Sequence, residues 1–112
     1  MKILKRDNTL VDFNKEKIIN AINKAFIEIA GNPCEDLTAQ KIASEIENLI
    51  STSSEIASVE LIQDWVEELL IEYNYINIAR AYIRYRYKKE VAREIKSDFF
   101  DAIGEKLEAR NV

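Results

Sequence analysis

Residues 3–18 read ILKRDNTLVDFNKEKI, and this stretch places a short hairpin directly before a helix. Asp and Asn adopt tight-turn conformations readily, so the pattern predicts two short antiparallel strands around a turn at 6–8. The predicted strands are 2–5 and 9–13. A two-stranded hairpin is only marginally stable in water, so we expect it to lie on the rest of the chain. The adjacent cations Lys5 and Arg6 suggest an anionic ligand beneath the turn.

Behind the hairpin, apolar residues recur at the 3.6-residue spacing of amphipathic helices. Asn14 is a suitable N-cap for the first helix, which we expect to end near Gly31, just before the Asn32-Pro33 pair. Either Asp36 or Thr38 begins the second helix. The predicted apolar stripes are Ile18, Ile19, Ile22, Ala25, Phe26 and Ile29 in the first helix, and Ile42, Ala43, Ile46, Leu49 and Ile50 in the second.

The second half of the chain has the same pattern. Residues 51–54, STSS, are predicted as a loop, and Ser58 as the N-cap of a third helix that ends at 72–75. A long fourth helix begins near Asn77, and its pattern predicts that residues 105–112 continue it or fray from it. The predicted stripes are Leu61, Ile62, Trp65, Val66, Leu69 and Leu70, and then Ile78, Ala81, Tyr82, Tyr85, Ala92 and Ile95. The sequence therefore predicts a mainly α fold, a four-helix bundle capped by a small N-terminal β-hairpin.

Composition and charge restrict the possible functions. The chain has 112 residues, 2 Gly, 1 Pro and a formal net charge of −4, as expected for one helical domain. An acidic chain does not favour general nucleic-acid binding, which needs a basic face to neutralise phosphates. The charge is uneven, because residues 80–93 are rich in Arg and Lys, whereas the charged residues within 47–72 are all acidic. A small anion could still find a local basic site.

The chain has one cysteine, Cys34, and no histidine. Cysteine metal clusters, the usual zinc sites and His-dependent nucleophilic catalysis are therefore not expected within it, and no catalytic residue is predicted. Its carboxylates are expected to be a solvated surface, and Cys34 a loop residue without a catalytic role. No apolar run is long enough to span a membrane and no secretory signal is expected, so we expect a cytoplasmic protein.

Phosphate binding is the chemistry that the residues support best. The glycine-rich loops of the common nucleotide-binding folds are missing, so cations from separate elements would have to meet at one place. The candidates are Lys5, Arg6, Lys17 and Lys88, with the hydroxyl and helix N-terminus at Ser58. The competing interpretation is that these side chains simply face water, as most Lys and Arg do.

Five tyrosines between 73 and 87 offer rings on which bases could stack. At helical spacing, however, aromatic residues more often form helix–helix contacts. We therefore expect Tyr82 and Tyr85 to pack within the bundle.

Three blocks of sequence resemble the ATP-cone family. Residues 3–8, ILKRDN, followed by Phe13 and the pair Lys17-Ile18, resemble its opening hairpin and helix. Residues 58–67, SVELIQDWVE, resemble its third helix, and residues 79–86, ARAYIRYR, its closing signature. The order and separation of these blocks extend the resemblance from residue 1 to about residue 90.

The resemblance implies an ATP-cone at 1–90 and a helical linker or tail at 91–112 that leads toward a catalytic domain. ATP-cones are regulatory domains of ribonucleotide reductases, where ATP activates, dATP inhibits, and the ligand changes the homo-oligomeric state. The tail resembles the linker of an anaerobic or a cobalamin-dependent reductase. The alternatives are the ATP-cone of a transcriptional repressor of reductase genes, or a helical protein-interaction module without a ligand.

The resemblance also implies the arrangement of residues around one adenine nucleotide, which Mg²⁺ could accompany. On the hairpin, Lys5 and Arg6 would contact the phosphates, and on the other side Ser58 and Lys88 would contact them too. The Ile3 backbone and Ile18 would lie on either side of adenine, and Asn14 and Lys17 would bond to the base or the ribose. Arg86 is a further candidate for this site. Two positions depart from the family. Asn8 replaces the usual Gly of the turn, and Val11 lacks an acidic group that some members present to the ligand.

Overall fold

The computed structural model describes the backbone of residues 1–110 and the side chains of residues 1–96. The strands are β1 (Lys2–Leu4) and β2 (Leu10–Asp12), and the helices are α1 (Lys15–Ala30), α2 (Thr38–Thr52), α3 (Val59–Glu72) and α4 (Ile76–Arg110). This confirms the predicted mainly α fold with an N-terminal hairpin. The predicted tail is helical as far as Arg110, and its last two residues, 111 and 112, lie outside the described residues.

The hairpin is antiparallel, with Ile3 opposite Val11 at its centre. The Phe13 N–H donates to the Met1 carbonyl oxygen over 2.8 Å and extends the pairing by one step toward α1. Ile3 and Phe13 are partly buried against the core of the bundle. The hairpin therefore gains the support that an isolated two-stranded ribbon lacks.

Both predicted ends of α1 are confirmed. The Asn14 side chain accepts a hydrogen bond from the Glu16 N–H over 3.0 Å, which satisfies one of the unpaired donors of the first turn. At the other end Gly31 has φ 79°, and its N–H donates to the Ile27 carbonyl over 2.9 Å. A residue without Cβ adopts this left-handed conformation at no steric cost.

The ends of α2 differ in part from the prediction. Thr38 is its first residue, and the Asp36 carboxylate accepts from the Thr38 N–H over 2.8 Å. The loop predicted at 51–54 is wrong for its first half, because α2 continues through Thr52. The hydroxyls of Ser51 and Thr52 both donate to the Asn48 carbonyl oxygen, over 2.9 and 2.8 Å. Such bonds to the preceding turn let hydroxyl residues remain helical.

The four helices form a closed bundle in which α1 contacts α2 and α4, and α3 contacts the same two helices. Pairs such as Glu28 with Arg84 and Lys24 with Tyr85 show that α1 and α4 run antiparallel. The largest fully buried side chains are Ile22, Ile42, Ile46, Val66 and Leu70. Burial of such apolar side chains, at about 1.5–3 kcal/mol each, is the main source of stability.

Five residues of the predicted stripes are exposed instead, and one of them is Ala92 on α4. Ile29, Leu49 and Leu61 are 39–44% exposed, because each lies at the margin of its stripe, where the neighbouring helices no longer cover it. Ile95 is 63% exposed. It lies on the part of α4 beyond Tyr82, the last buried core residue among those whose side chains are described.

Candidate functional site

The hairpin is joined to the N-terminus of α3. The Leu4 N–H donates to the Ala57 carbonyl oxygen over 2.9 Å, and Leu4 forms a parallel bridge with Ser58. Residues that follow Leu4 are therefore held beside the first turn of α3. This is the contact that gives the hairpin a defined position on the bundle.

The turn itself is internally braced. The Lys5 N–H donates to the Thr9 carbonyl over 2.9 Å, the Asn8 N–H donates to the Lys5 carbonyl over 3.0 Å, and Asn8 has φ 67°. The Asp7 carboxylate accepts from the hydroxyl and the N–H of Thr9, over 2.6 and 3.1 Å. These bonds lower the pKa of Asp7. The carboxylate is therefore engaged within the turn.

Arg6 is held by two carboxylates from different helices. Its Nε lies 3.3 Å from Oε1 of Glu60, in the first turn of α3, and its Nη2 lies 3.2 Å from Oε1 of Glu90 on α4. Neither acidic partner of Arg6 is predicted from the sequence. One signal was available, because Glu90 is the only acidic residue within the basic stretch 80–93.

The three predicted lysines are in a different situation. Lys5, Lys17 and Lys88 are all exposed, and none forms an ion pair with any residue in the part of the chain whose side chains are described. Lys24 on α1 and Arg84 on α4, in contrast, have partners within the fold, Tyr85 and Glu28. These three ammonium groups are therefore available to an external anion.

Ser58 and Asn14 both cap helices. The Ser58 hydroxyl accepts from the Leu61 N–H over 3.1 Å, and Asn14 accepts from Glu16 as described above. Accepting a bond leaves the hydroxyl hydrogen of Ser58 and the NH₂ group of Asn14 as potential donors. The N-terminus of α3 also carries the partial positive charge of the helix dipole.

The two predicted adenine contacts differ in exposure. Ile3 is partly buried in the hairpin, with its backbone paired to Val11. Ile18 belongs to the hydrophobic core and is only 8% exposed. Its side chain therefore offers no more than an edge to a ligand beside the hairpin.

Arg86 lies in an ion-pair cluster between α3 and α4. Its Nη1 lies 2.7 Å from Asp64 and 2.9 Å from Glu67, and its Nη2 donates to the Glu60 carbonyl over 3.3 Å. Burial of the guanidinium opposes its charge, but the carboxylates of Asp64 and Glu67 outweigh this and raise the pKa of Arg86. In the structure Arg86 connects two helices.

Tyr85 has an environment that the sequence did not indicate. It was predicted as a packed residue, but its ring lies between the ammonium groups of Lys89 and Lys24, at 4.9 and 5.4 Å from the centroid. Its hydroxyl accepts from Lys24 over 3.2 Å. These lysines, Lys89 most strongly, lower the pKa of Tyr85. Lys89 is one turn away on α4, whereas Lys24 could be recognised only from the packing of α1 on α4.

Two shallow clefts lie at the other end of the bundle, on either side of the edge-to-face pair Phe26 and Tyr75. Their volumes are about 440 and 470 Å³. Cys34 lines one of them and donates to the Asp36 carboxylate over 3.1 Å. Burial, followed by this contact, raises the pKa of the Cys34 thiol, which keeps it protonated and unreactive.

Within the described residues, the side chains form no group of three or more Cys, Asp or Glu that could hold a metal ion. In the same part of the chain, every helix is too short or too polar to cross a lipid bilayer.

Comparison with known proteins identifies ribonucleotide reductases as relatives of this chain. The chain is 36% identical over 112 residues to the anaerobic ribonucleoside-triphosphate reductase of Haemophilus influenzae. The aligned region covers 98% of this chain and 15% of that protein. It is also 35% identical over 100 residues to a vitamin B12-dependent ribonucleoside-diphosphate reductase of Thermoplasma acidophilum. That aligned region covers 85% of this chain and 13% of the reductase. The chain thus spans about one seventh of the length of these relatives.

The family described as the ATP cone domain matches residues 1–91, a range that includes the hairpin, the first three helices and the part of α4 that packs on them. The match includes every predicted site residue from Ile3 to Lys88. This chain belongs to the ATP-cone family.

Proposed function

We propose that this chain is an allosteric regulatory domain of a ribonucleotide reductase and binds ATP or dATP beneath its N-terminal hairpin. ATP-cones bind these nucleotides as effectors, and the relatives described above are reductases. The observation that carries the proposal is the set of three exposed lysines, Lys5, Lys17 and Lys88, that have no ion pairs among the described side chains.

Two of these lysines, Lys5 and Lys88, lie close in sequence to contacts that join the hairpin to the bundle. Lys5 is between Leu4, which bridges to Ser58, and Arg6, which reaches α3 and α4. Lys88 is two residues before Glu90, the α4 partner of Arg6. Lys17 is in the first turn of α1, where its N–H donates to the Asn14 carbonyl over 3.2 Å. A triphosphate near the turn could therefore contact all three elements.

The proposed site has the parts that a nucleotide requires. Lys5, Arg6, Lys88 and Ser58 would contact phosphates, Ile3 and Ile18 would contact adenine, and Asn14 and Lys17 would bond to the base or ribose. Mg²⁺, when bound, would neutralise part of the phosphate charge. Because the described side chains form no acidic cluster for a cation, its ligands would be phosphate oxygens and water. Arg86 would contribute indirectly, by holding α3 against α4.

The proposed consequence of binding is a change in assembly. ATP and dATP differ only at the ribose 2′ position, and a differential free energy of about 1–3 kcal/mol is enough to shift a two-state equilibrium between assemblies. Residues 91–112 would form the linker that transmits this change to a catalytic domain. We expect the mass of the species in solution, measured by analytical ultracentrifugation, to differ between ATP and dATP.

Isothermal titration calorimetry with ATP and dATP tests the proposal. We expect the Lys5→Ala/Lys88→Ala double variant to bind at least about tenfold more weakly, because a hydrogen bond to a charged group contributes about 1.5–3 kcal/mol. Lys41→Ala is a matched control, since Lys41 is an exposed helical lysine on α2. Dissociation constants weaker than about 1 mM, near −4 kcal/mol, for both nucleotides would refute the proposal and favour a protein-interaction module.

A further inference from the structure

Arg6 and Lys5 are neighbours on the hairpin turn, yet their surroundings differ. Lys5 has no ion pair within the part of the chain whose side chains are described. Arg6 contacts Glu60 and Glu90, at 3.3 and 3.2 Å, and so connects the hairpin to both α3 and α4. A phosphate group that binds the Nε and Nη2 edge of Arg6 with two parallel hydrogen bonds must therefore displace these carboxylates.

The backbone of Glu60 is bonded to α4. The Glu60 backbone carbonyl accepts a hydrogen bond from Arg86. The Arg86 guanidinium is also paired with Asp64 and Glu67, and the Arg86 side chain is only 17% exposed. Glu90 is one helical turn after Arg86 on α4, so it faces the same side of the bundle. The two glutamates thus lie on the same side of the bundle, where both contact Arg6.

The ion pairs of Arg6 are weak enough to be exchanged. The side chains of Arg6, Glu60 and Glu90 are 42%, 37% and 33% exposed, so solvent screens both pairs. Pairs of this kind typically change an equilibrium by about twofold to fivefold each. A charge-assisted bond to phosphate, which Arg can make with two N–H groups, is stronger than such a pair.

We propose that Glu60 and Glu90 compete with the nucleotide's phosphates for Arg6, and that binding transfers this guanidinium from the two helices to the ligand. The inference rests on the proposed function and adds a regulatory element to the same site. Its consequence is local: Arg6 leaves Glu90, which is next to the end of the family match at residue 91. Binding therefore removes the contact between the hairpin and α4 at the point where that helix continues out of the domain.

Calorimetry on charge-neutral variants tests the competition. We expect Glu60→Gln and Glu90→Gln each to bind ATP about twofold to fivefold more tightly than the wild type. Both variants should also bind inorganic tripolyphosphate more tightly than the wild type, by the same factor. Their affinity for adenosine should equal that of the wild type. Glu94→Gln is the control for net charge, because Glu94 is exposed and one turn further along α4. It should have a smaller effect.

A double-mutant cycle separates competition from general electrostatics. If the glutamates act through Arg6, Glu90→Gln will have no effect on ATP binding in an Arg6→Ala background. An equal effect in both backgrounds, unchanged affinity, or weaker binding by Glu60→Gln and Glu90→Gln would each overturn the inference.

Amide hydrogen exchange gives a readout that does not depend on affinity. The Leu4 amide bonds the hairpin to Ala57, and the Lys5 amide closes the turn on Thr9. Without nucleotide, both amides should exchange faster in Glu90→Gln than in the wild type. With saturating ATP, these amides should exchange at the same rate in Glu90→Gln and in the wild type. If the wild type binds neither ATP nor tripolyphosphate, the proposed function fails along with the inference. If it binds both and the variants behave like it, only the competition fails.

Discussion

Asn8 and Asn74 have φ angles of 67° and 68°, in the left-handed region that most side chains avoid. Asn74 follows the end of α3, where its N–H donates to the Ile71 carbonyl over 2.9 Å. Asn8 takes the position at which the ATP-cone opening usually has Gly. The structure shows that the turn closes with Asn, because this side chain tolerates the conformation at modest cost.

This geometry makes Asn8 sensitive to substitution. We expect Asn8→Ala to lower the free energy of unfolding by about 1 kcal/mol, and Asn8→Gly to leave it within about 0.5 kcal/mol of the wild type. Urea denaturation followed by circular dichroism measures both. Asn20→Ala, on the exposed side of α1, is the control for the loss of an Asn side chain. Equal destabilisation by Ala and Gly at position 8 would contradict this explanation.

Ser58 has two roles that can be separated by choice of residue. Ser58→Ala removes the cap of α3 and should lower the free energy of unfolding by about 1 kcal/mol. Ser58→Gly should lower it by only a few tenths of a kcal/mol, because Gly is tolerated at an N-cap. Both variants lack the hydroxyl. If that group binds phosphate, both should lose ATP affinity to a similar degree despite their different stabilities. Affinity that follows stability instead would show that Ser58 acts only as a cap.

At the scale of elements, α2 begins beside a concentrated set of hydrogen bonds. The Asp36 carboxylate accepts from the Thr38 N–H at 2.8 Å, the Cys34 thiol at 3.1 Å and the Tyr75 hydroxyl at 3.1 Å. Bonds from Thr38, then Cys34, lower the pKa of Asp36 well below its usual range. The sequence predicts Asp36 at the start of the helix, but not its bond to Tyr75, which lies 39 residues later in the connection between α3 and α4.

The lowered pKa of Asp36 predicts a loss of stability in acid. The folded chain binds this proton less readily than the unfolded chain, so the contribution is present above about pH 4, the unfolded pKa, and is lost as pH falls below it. Thermal melts between pH 7 and pH 2 test this. The wild type should melt higher than Asp36→Asn at pH 7, and the difference should shrink below about pH 4. A difference in melting temperature between the two proteins that stays constant from pH 7 to pH 2 would contradict this prediction.

At the scale of the whole molecule, the core is complete well before the end of α4. Among the described side chains, every buried hydrophobic residue lies between Ile18 and Tyr82. The last described contact of the hairpin with α4 is at Glu90. The domain boundary near residue 90 remains a prediction, and this distribution of burial supports it.

A shortened chain tests the boundary. We expect the chain truncated after Lys96 to fold with a free energy of unfolding within about 0.5 kcal/mol of the full chain, because the described core residues all lie between Ile18 and Tyr82. Denaturation of both chains measures this, and ATP titration should give equal affinities. The control is truncation after Arg80, which removes Ala81 and Tyr82 from the core and should prevent folding. A large loss of stability on removing 97–112 would show that the domain extends further.

The helices, their caps and the hairpin turn follow from the sequence because they depend on residues within a few positions of one another. Asn14, Gly31 and Ser58 act within one helical turn, and the 3.6-residue period identifies most of the core. The partners of the cations do not follow in this way. Arg6 and Glu90 are 84 residues apart, and Lys24 and Tyr85 are 61 apart. Which cations are paired and which are available to a ligand depends on how the helices pack, and no local pattern encodes that arrangement.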